Sequence, residues 1–295
     1  MSEPTLNQTL LRAADLLQRV QAAGAGLLCL DCSFDLADTD AGERSFQEGH
    51  LPGAVHLHLD RDLSAARTGR NGRHPLPSPD AFAQRIAAIG GGPDSFFVCY
   101  DRSGGMYAAR AWWMLRWAGH AGAAVLDGGW QAWLRAGGPV EAGPARPRAA
   151  SRFALRPALE ATVAYGELQA GLARPVDQRQ MVVDARAADR FRGENETLDP
   201  VGGHIPGARN RPFRDNLAAD GGFKPAAQLR TEWSAVLDGR VPADVVQQCG
   251  SGVTACHNLL ALHLAGLGGS ALYPGSWSEW CAQPGAPIAT GADPG

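Results

Sequence analysis

The feature that most constrains the fold of this chain is an internal duplication. Four landmarks occur twice, in the same order, along the 295 residues. The pairs are Asp31 and Asp184, His50 and His204, Asp101 and Cys249, and Trp130 and Trp277. Each landmark recurs between 147 and 154 positions later. An ordered series at such regular spacing indicates two copies of one fold rather than chance similarity.

The segment between the copies has the composition of a linker. A chain of 295 residues can bury the cores of two ordinary domains. Residues 137–157 are rich in Pro, Ala, Arg and Gly and show no apolar periodicity, which is typical of a connecting stretch. We therefore predict a first domain at residues 1–140, a linker at 141–157 and a second domain at 158–295.

Short apolar strands alternate with helical segments in each copy. A helix is predicted over residues 1 to about 24, followed by a strand at 26–32, and further helices are predicted at 79–89, 107–117 and 254–265. This alternation predicts an α/β fold in which each copy forms a mainly parallel sheet flanked by helices. In such folds the loops that carry chemistry follow the carboxyl ends of the strands.

The second copy places one cysteine in a glycine-spaced loop. Residues 244–248 read as a strand, Cys249 follows, Gly250 and Gly252 permit tight turns, and a helix begins near Thr254. The N–H groups of such a loop and the positive end of the helix dipole favour an anion. We therefore expect Cys249 to be a thiolate nucleophile at neutral pH, and not an inert buried cysteine.

The first copy has Asp101 where the second has Cys249. A carboxylate cannot carry sulfur as a nucleophilic thiol does. The first copy is therefore expected to be catalytically silent and to supply one wall of a cleft.

Charge and composition exclude several classes of partner. The formal net charge is −3, and Lys and Arg form no cluster, so neither nucleic acid nor an anionic membrane is expected. No apolar run approaches the roughly 18 residues of a membrane span, and the N-terminus lacks the pattern of a signal peptide, so a cytoplasmic location is expected. The six cysteines do not resemble a disulfide framework. The pair Cys29 and Cys32 has no second pair at metal-ligand spacing, and we expect neither a metal nor a cofactor.

Several motifs together identify a family. The segment FQEGHLPGA at 46–54, the later GHIPGA, the cysteine loop and the closing YPGSWSEW resemble the tandem-domain rhodanese-like sulfurtransferases over nearly the whole chain. The loop CGSGVT at 249–254 looks like the mercaptopyruvate branch, because thiosulfate-preferring members usually have basic residues directly after the cysteine. The resemblance implies that Cys249 takes sulfur from 3-mercaptopyruvate as a persulfide and passes it to a thiol or to cyanide.

The same resemblance implies roles for further residues. A relay formed by Ser251, His74 and Asp60 would assist catalysis, and Arg190 would bind the carboxylate of a small anionic donor. The remaining substrate-binding residues implied by the resemblance are those of the loop, Gly250, Gly252, Val253 and Thr254. The branch usually offers a second arginine, and this sequence has Asp199 in that place.

Three alternatives compete with this function. A cysteine phosphatase needs an arginine that closes the anion loop, and none occurs between Cys249 and His257. A thiosulfate:cyanide sulfurtransferase would use the same cysteine with a different donor. A non-enzymatic sulfur carrier or binding module remains open, because a fold does not by itself establish an activity.

Overall fold

Two parallel sheets, one in each copy, organise the structure. The computed structural model describes residues 9–22, 26–175 and 178–293. The chain divides into two compact units. The first takes in the chain up to Ser64 with 77–159 and 219–223, and the second takes in 65–76, 160–218 and the chain from Lys224 onward. Residues 65–76 therefore lie within the first copy in sequence but belong to the second unit.

The sheet of the first unit has five parallel strands in the order β1-β5-β4-β2-β3. They are β1 (Leu10–Leu11), β2 (Leu27–Asp31), β3 (Val55–His56), β4 (Phe96–Tyr100) and β5 (Ala123–Leu126). The central strands β2 and β4 pair along their whole length, from Leu27 with Phe96 to Asp31 with Tyr100. Both strands are almost entirely buried, as expected of parallel strands covered on two faces.

Helices connect the strands of the first unit. They are α1 (Ala13–Gln21), α2 (Ala41–Glu48), α3 (Leu59–Asp62), α4 (Pro79–Ala88), α5 (Ala108–Trp117) and α6 (Gly129–Arg135). Helix α4 begins where Ser78 caps it, because the Ser78 Oγ accepts the Ala81 N–H at 3.2 Å and Pro79 suits the first turn. Helix α5 is apolar on most sides and buries Trp112 and Trp113 completely, so it forms part of the core.

The sheet of the second unit repeats this arrangement with four parallel strands in the order β7-β6-β8-β9. They are β6 (Met181–Asp184), β7 (Arg209–Asn210), β8 (Val245–Gln248) and β9 (Ala271–Leu272). Thr162 and Leu272 form an isolated parallel bridge, at the position where β1 joins β5 in the first unit. Strand β8 is buried throughout and ends immediately before Cys249.

The helices of the second unit are arranged around this sheet. They are α7 (Tyr165–Gly171), α8 (Ala188–Arg192), α9 (Ala226–Leu237), α10 (Thr254–Leu264) and α11 (Ser276–Trp280). Helix α10 follows the cysteine loop directly, and residues 255–262 within it are all buried. Burial of nearly every side of α10 fixes the point at which the loop enters the helix.

The histidine in the Gly-His-x-Pro-Gly-Ala turn of each copy packs against a phenylalanine. His50 stacks on Phe46 with ring centroids 3.8 Å apart, and its Nδ1 lies 2.8 Å from the Phe46 carbonyl oxygen. His204 repeats both contacts with Phe191, at 3.8 and 2.9 Å. Both rings are buried. The repeated histidine is therefore a structural residue of each unit.

The fold class predicted from sequence is confirmed, and the predicted helices at 79–89, 107–117 and 254–265 are found with ends that shift by one residue. Of the predicted N-terminal helix, Ala13–Gln21 form α1, whereas the prediction is wrong at Leu10–Leu11, which form the strand β1 beside β5. Positions 1–8 and 23–25 lie outside the described residues. Among the described helices, none has the length and apolar character needed to cross a membrane.

Candidate active site

The cysteine loop is shaped by one glycine that no other residue can replace. Gly252 has φ +76°, and a Cβ atom added there would lie 2.3 Å from the Pro274 carbonyl oxygen. Glycine alone tolerates both the left-handed backbone and that close approach. The resulting turn brings the Ser251 N–H to 3.5 Å from the Cys249 Sγ. Cys249 is buried, with 2 % of its surface exposed.

The closing segment of the second copy holds the cysteine from the other side. The Cys249 N–H donates to the Ser276 Oγ at 3.1 Å, and the Cys249 carbonyl accepts the Trp277 N–H at 2.9 Å. Ser276 itself has φ +54°, an uncommon backbone for a residue with a side chain. Its Oγ also donates to the Tyr273 carbonyl at 2.9 Å. The strained serine therefore fixes the backbone of Cys249, as strained residues at functional sites often do.

A histidine and a serine lie beside the cysteine. The His74 Nδ1 is 2.7 Å from the Ser251 Oγ, and both side chains are buried. The Ser251 residue thus touches Cys249 through its N–H and His74 through its hydroxyl. This arrangement can move a proton between a group bound near Cys249 and the imidazole.

An arginine near the loop is held by two carboxylates. The Arg190 Nε and Nη2 donate to Glu196 at 2.9 and 3.0 Å, and the Nη2 also donates to Asp199 at 3.1 Å. A Cβ atom added at Gly250 would lie 3.6 and 3.7 Å from the two terminal nitrogens of Arg190. Arg190 therefore lies above the residue that follows the cysteine.

A second arginine reaches the same place from residues 65–76. The Arg73 Nη1 donates to Asp199 at 2.7 Å and to the Leu198 carbonyl at 3.2 Å. Its Nη2 lies 3.1 Å from the position of a Cβ atom on Gly250. The Arg73 N–H donates to the Ser278 Oγ at 2.9 Å, which anchors the backbone behind the side chain. Two guanidinium groups therefore converge beside Cys249.

The neighbouring arginines have other roles. Arg186 is buried, donates to both oxygens of Asp184 and stacks on Trp277 with its Cζ 4.6 Å from the ring centroid. Arg192 lies partly exposed and pairs with Glu194 at 2.7 Å. Of the three arginines at 186, 190 and 192, the one next to the cysteine loop is Arg190.

The charges around the loop nearly cancel. The Asp199 and Glu196 side chains are 3 % and 5 % exposed, and they pair with Arg73 and Arg190. Burial opposes ionisation of Glu196, but the Arg190 hydrogen bond and the N–H groups of Leu198 and Asp199 outweigh it and lower its pKa. The two arginines therefore face the loop with their positive charge largely balanced.

A family model for the rhodanese-like domain matches residues 13–136 and again residues 165–283. The chain belongs to the rhodanese-like family. The predicted tandem organisation and family are thereby confirmed.

Relatives that span the whole rhodanese-like chain are named as sulfurtransferases. A protein of Pseudomonas aeruginosa named probable 3-mercaptopyruvate sulfurtransferase is 48 % identical over 284 residues, which cover 96 % of this chain and 98 % of the relative. The human 3-mercaptopyruvate sulfurtransferase is 38 % identical over 289 residues, 95 % of this chain and 94 % of the relative. The crystal structure of the 3-mercaptopyruvate sulfotransferase SseA from Escherichia coli has a TM-score of 0.76 at 30 % identity and covers 92 % of this chain and 99 % of that one. The protein is therefore an enzyme of the sulfurtransferase class, as the sequence predicted.

The structure of this rhodanese-like sulfurtransferase brings most of the predicted site residues together in the second unit. Those that lie at the loop or within contact of it are Cys249, Gly250, Ser251, Gly252, His74 and Arg190. Val253 and Thr254 follow at the entry to α10. Asp60 belongs to the first unit, in the short helix α3, where its N–H donates to the His58 Nδ1 at 3.1 Å.

Sequence reasoning missed Arg73, Ser276 and the pairing role of Asp199. Arg73 directly precedes His74, which was a usable signal. Ser276 stands in the closing motif that both copies share, at the place of Gly129 in the first copy. Gly129 has φ +53° and Ser276 has φ +54°, so the two copies share this backbone geometry even though serine occupies it in the second.

The first rhodanese-like copy holds a buried carboxyl group in the corresponding loop. One carboxylate oxygen of Asp101 accepts the N–H groups of Ser103 and Gly105, at 2.7 and 2.9 Å, and the other accepts those of Tyr107 and Ala108, both at 2.9 Å. Asp101 is fully buried. Burial raises the pKa of its carboxyl, and the four N–H groups act against that rise. The loop of the first copy thus binds both carboxyl oxygens of Asp101 with backbone N–H groups.

Replacing Asp101 by alanine is expected to destabilise the protein by on the order of 3 kcal/mol, because it leaves buried N–H groups without an acceptor. Urea unfolding followed by fluorescence measures the change. The control is Asp35→Ala, since the exposed Asp35 carboxylate also accepts two backbone N–H groups. Water replaces that acceptor, so the control is expected to lose less than about 1 kcal/mol. Equal losses in the two variants contradict the assignment.

Proposed function

We propose that the protein transfers sulfane sulfur from 3-mercaptopyruvate to a thiol or cyanide through a persulfide on Cys249. The observation that carries the choice of donor is the charge balance at the loop, where Arg73 and Arg190 are already paired with Asp199 and Glu196. A balanced pair of guanidinium groups suits a carboxylate of single charge, which gains planar hydrogen bonds. A dianion such as thiosulfate requires more uncompensated positive charge.

The first half-reaction balances without a cofactor. The Cys249 thiolate attacks the sulfur of 3-mercaptopyruvate, an S–S bond forms, and the C–S bond breaks with its electron pair moving to carbon. The carbanion, stabilised as an enolate, takes up the proton that the donor thiol brought, and pyruvate leaves. Ser251 and His74, joined at 2.7 Å, are placed to carry that proton. Asp60 completes the relay in this proposal.

The persulfide is stabilised by the loop that formed it. The N–H groups that bind the Asp101 carboxylate in the first unit belong to Ser103, Gly105, Tyr107 and Ala108. Counting along the duplicated loops, their counterparts in the second copy are Ser251, Val253, Ala255 and Cys256. The Cys256 N–H donates to the Val253 carbonyl at 3.1 Å, so the correspondence supports the N–H groups of Ser251, Val253 and Ala255 as the site of the outer, negatively charged sulfur.

In the second half-reaction an acceptor thiolate or cyanide attacks the outer sulfur. The S–S bond breaks, the acceptor leaves as a persulfide or as thiocyanate, and Cys249 returns to its thiolate. The substrates on both sides are small, and nucleic acid and membrane lipid have no part in this proposal.

Steady-state kinetics with both donors test the proposed function. The specificity constant is expected to be higher for 3-mercaptopyruvate than for thiosulfate, and pyruvate is expected to form in equal amount to thiocyanate. Mass spectrometry after incubation with donor alone is expected to show one added sulfur on the peptide that contains Cys249. A specificity constant that favours thiosulfate overturns the donor, and the absence of any added sulfur overturns the persulfide.

Ser251→Ala is expected to lower kcat for 3-mercaptopyruvate by about 10²-fold, a typical contribution of a positioned proton-transfer group. Turnover with thiosulfate should stay within a few-fold of the original, because that donor brings no proton. Ser270→Ala serves as the control, since Ser270 is a buried serine of the second unit outside the loop. Equal losses with both donors contradict a donor-specific relay.

A further inference from the structure

We propose that Arg73 is the second arginine that binds the donor carboxylate, and that Asp199 positions Arg73 and Arg190 for this task. The inference rests on the proposed function and deepens it. Where the resemblance to the mercaptopyruvate branch leads us to expect a second arginine, this chain has an acid, Asp199. The structure supplies a guanidinium at the loop from a different part of the chain.

Arg73 has hydrogen-bonding capacity directed at the loop. Its Nη1 is engaged by Asp199 and the Leu198 carbonyl. Its Nε is buried and, within the part of the chain that the structure describes, donates no hydrogen bond. Its Nη2 approaches the Cα of Gly250 so closely that an added Cβ would be 3.1 Å away. A buried N–H without an acceptor is costly, and a bound carboxylate oxygen relieves that cost.

The guanidinium of Arg190 approaches Gly250 as that of Arg73 does. Its Nε and Nη2 are bound by Glu196 and Asp199, and its Nη1 lies 3.7 Å from the position of a Cβ on Gly250. The remaining N–H groups of Arg73 and Arg190 therefore meet above the residue next to the nucleophile. Two guanidinium groups around one point match the several acceptor oxygens of a 2-keto acid.

Asp199 determines how the two arginines are oriented. One of its carboxylate oxygens binds Arg73 at 2.7 Å and the other binds Arg190 at 3.1 Å. Its side chain is 3 % exposed, and its N–H is tied to Glu196 at 3.1 Å. An acid in this position uses one nitrogen of each guanidinium and leaves other N–H groups available to the donor. Asp199 is thus a positioning residue, and its charge also lowers the attraction for a dianion.

The backbone that carries Arg73 is rigidly placed. Gly72 has φ +85°, and a Cβ atom added there would lie 2.7 Å from the Gly275 carbonyl oxygen. The Arg73 N–H donates to the Ser278 Oγ at 2.9 Å. Residues 72 and 73 therefore pack directly on the closing segment that holds Cys249. A side chain held in this way loses little conformational freedom when it binds a ligand.

The test compares Arg73→Gln with Arg70→Gln. Arg70 lies in the same segment, is exposed, and loses the same charge when replaced. Arg73→Gln is expected to lower kcat/KM for 3-mercaptopyruvate by about 10- to 100-fold, mainly through KM, since a charge-assisted bidentate contact is lost. The inhibition constant of pyruvate, used as a product inhibitor, should rise by a similar factor. Arg70→Gln should change neither quantity more than about twofold, as expected for a screened surface charge.

A second pair of variants separates positioning from folding. Arg73→Lys keeps the charge but not the planar fork, so it is expected to recover only part of the lost affinity. Asp199→Asn should raise the ratio of specificity constants for thiosulfate over 3-mercaptopyruvate, because the loop gains net positive charge; a merely structural residue would lower both alike. An unchanged KM and pyruvate inhibition constant in Arg73→Gln, with an unchanged thermal midpoint, overturn the proposal.

Different measurements contradict this inference and the proposed function: the first depends on the KM of the Arg73 variant, and the second on which donor the unmodified enzyme prefers. If the unmodified enzyme prefers thiosulfate, the proposed donor is wrong, whatever Arg73 does. The comparison of Arg73→Gln with Arg70→Gln is then made with thiosulfate, and an equal KM in the two variants overturns a role for Arg73 in binding the donor. A larger KM in Arg73→Gln alone supports it.

Discussion

Cys249→Ser is expected to abolish sulfur transfer from either donor, with a loss of at least about 10³-fold in turnover, while the protein remains folded. A serine hydroxyl is not ionised at neutral pH and cannot form a persulfide. The hydroxyl still fits the loop, since serine differs from cysteine by one atom, so the hydrogen bonds of the Cys249 backbone to Ser276 and Trp277 should persist. Thiocyanate formation measures the loss of turnover. The intact protein mass after incubation with donor shows whether a persulfide still forms.

The control for this experiment is Cys281→Ser. Cys281 is more exposed than Cys249, so it is the better target for adventitious sulfur, yet burial raises its pKa to about 11 and keeps it a thiol. The Cys281→Ser variant should retain turnover and the added sulfur. If Cys249→Ser still gains one sulfur, or if Cys281→Ser loses it, the nucleophile has been assigned to the wrong residue.

Arg190→Ala is expected to lower kcat/KM for 3-mercaptopyruvate by about 10²-fold, because the donor carboxylate loses the charge of Arg190 and the hydrogen bonds of its Nη1, the nitrogen that Glu196 and Asp199 leave available. The same change leaves Glu196 with less compensation, so stability should fall by about 1–3 kcal/mol as well. Arg190→Lys separates the effects, since the ammonium retains the charge without the fork. Activity should remain low in Arg190→Lys while the unfolding midpoint largely recovers.

The matched control is Arg192→Ala. Arg192 lies two positions further along α8 and pairs with Glu194 at the surface, so its loss should leave kcat/KM and stability almost unchanged. A similar loss of activity in the variants at 190 and 192 argues for a general electrostatic effect and against a specific donor contact at Arg190.

Features encoded by adjacent residues could be predicted from the sequence. The cysteine, its flanking glycines and the following helix form one continuous stretch, so the local turn and the anion loop follow from residue types. The tandem fold follows from the repeated landmarks, which need no knowledge of contacts.

Contacts between distant segments could not be predicted in this way. Arg73 and Asp199 are 126 positions apart, and nothing in either neighbourhood signals the other. From the sequence alone, Asp199 was therefore interpreted as the loss of a positive charge. In the structure its carboxylate holds two arginines, Arg73 and Arg190. The positive φ of Ser276 was equally hidden, since serine rarely adopts that backbone.

The buried carboxylate of Asp101 bears on how duplicated enzymes diverge. A loop of converging N–H groups is stabilised by an acceptor at its centre, and the Asp101 carboxylate accepts four backbone N–H groups at once. Aspartate meets the electrostatic demand of the loop without a thiol. Two copies of one architecture can in this way carry different residues at the same position of the loop, a carboxylate in the first and a thiol in the second.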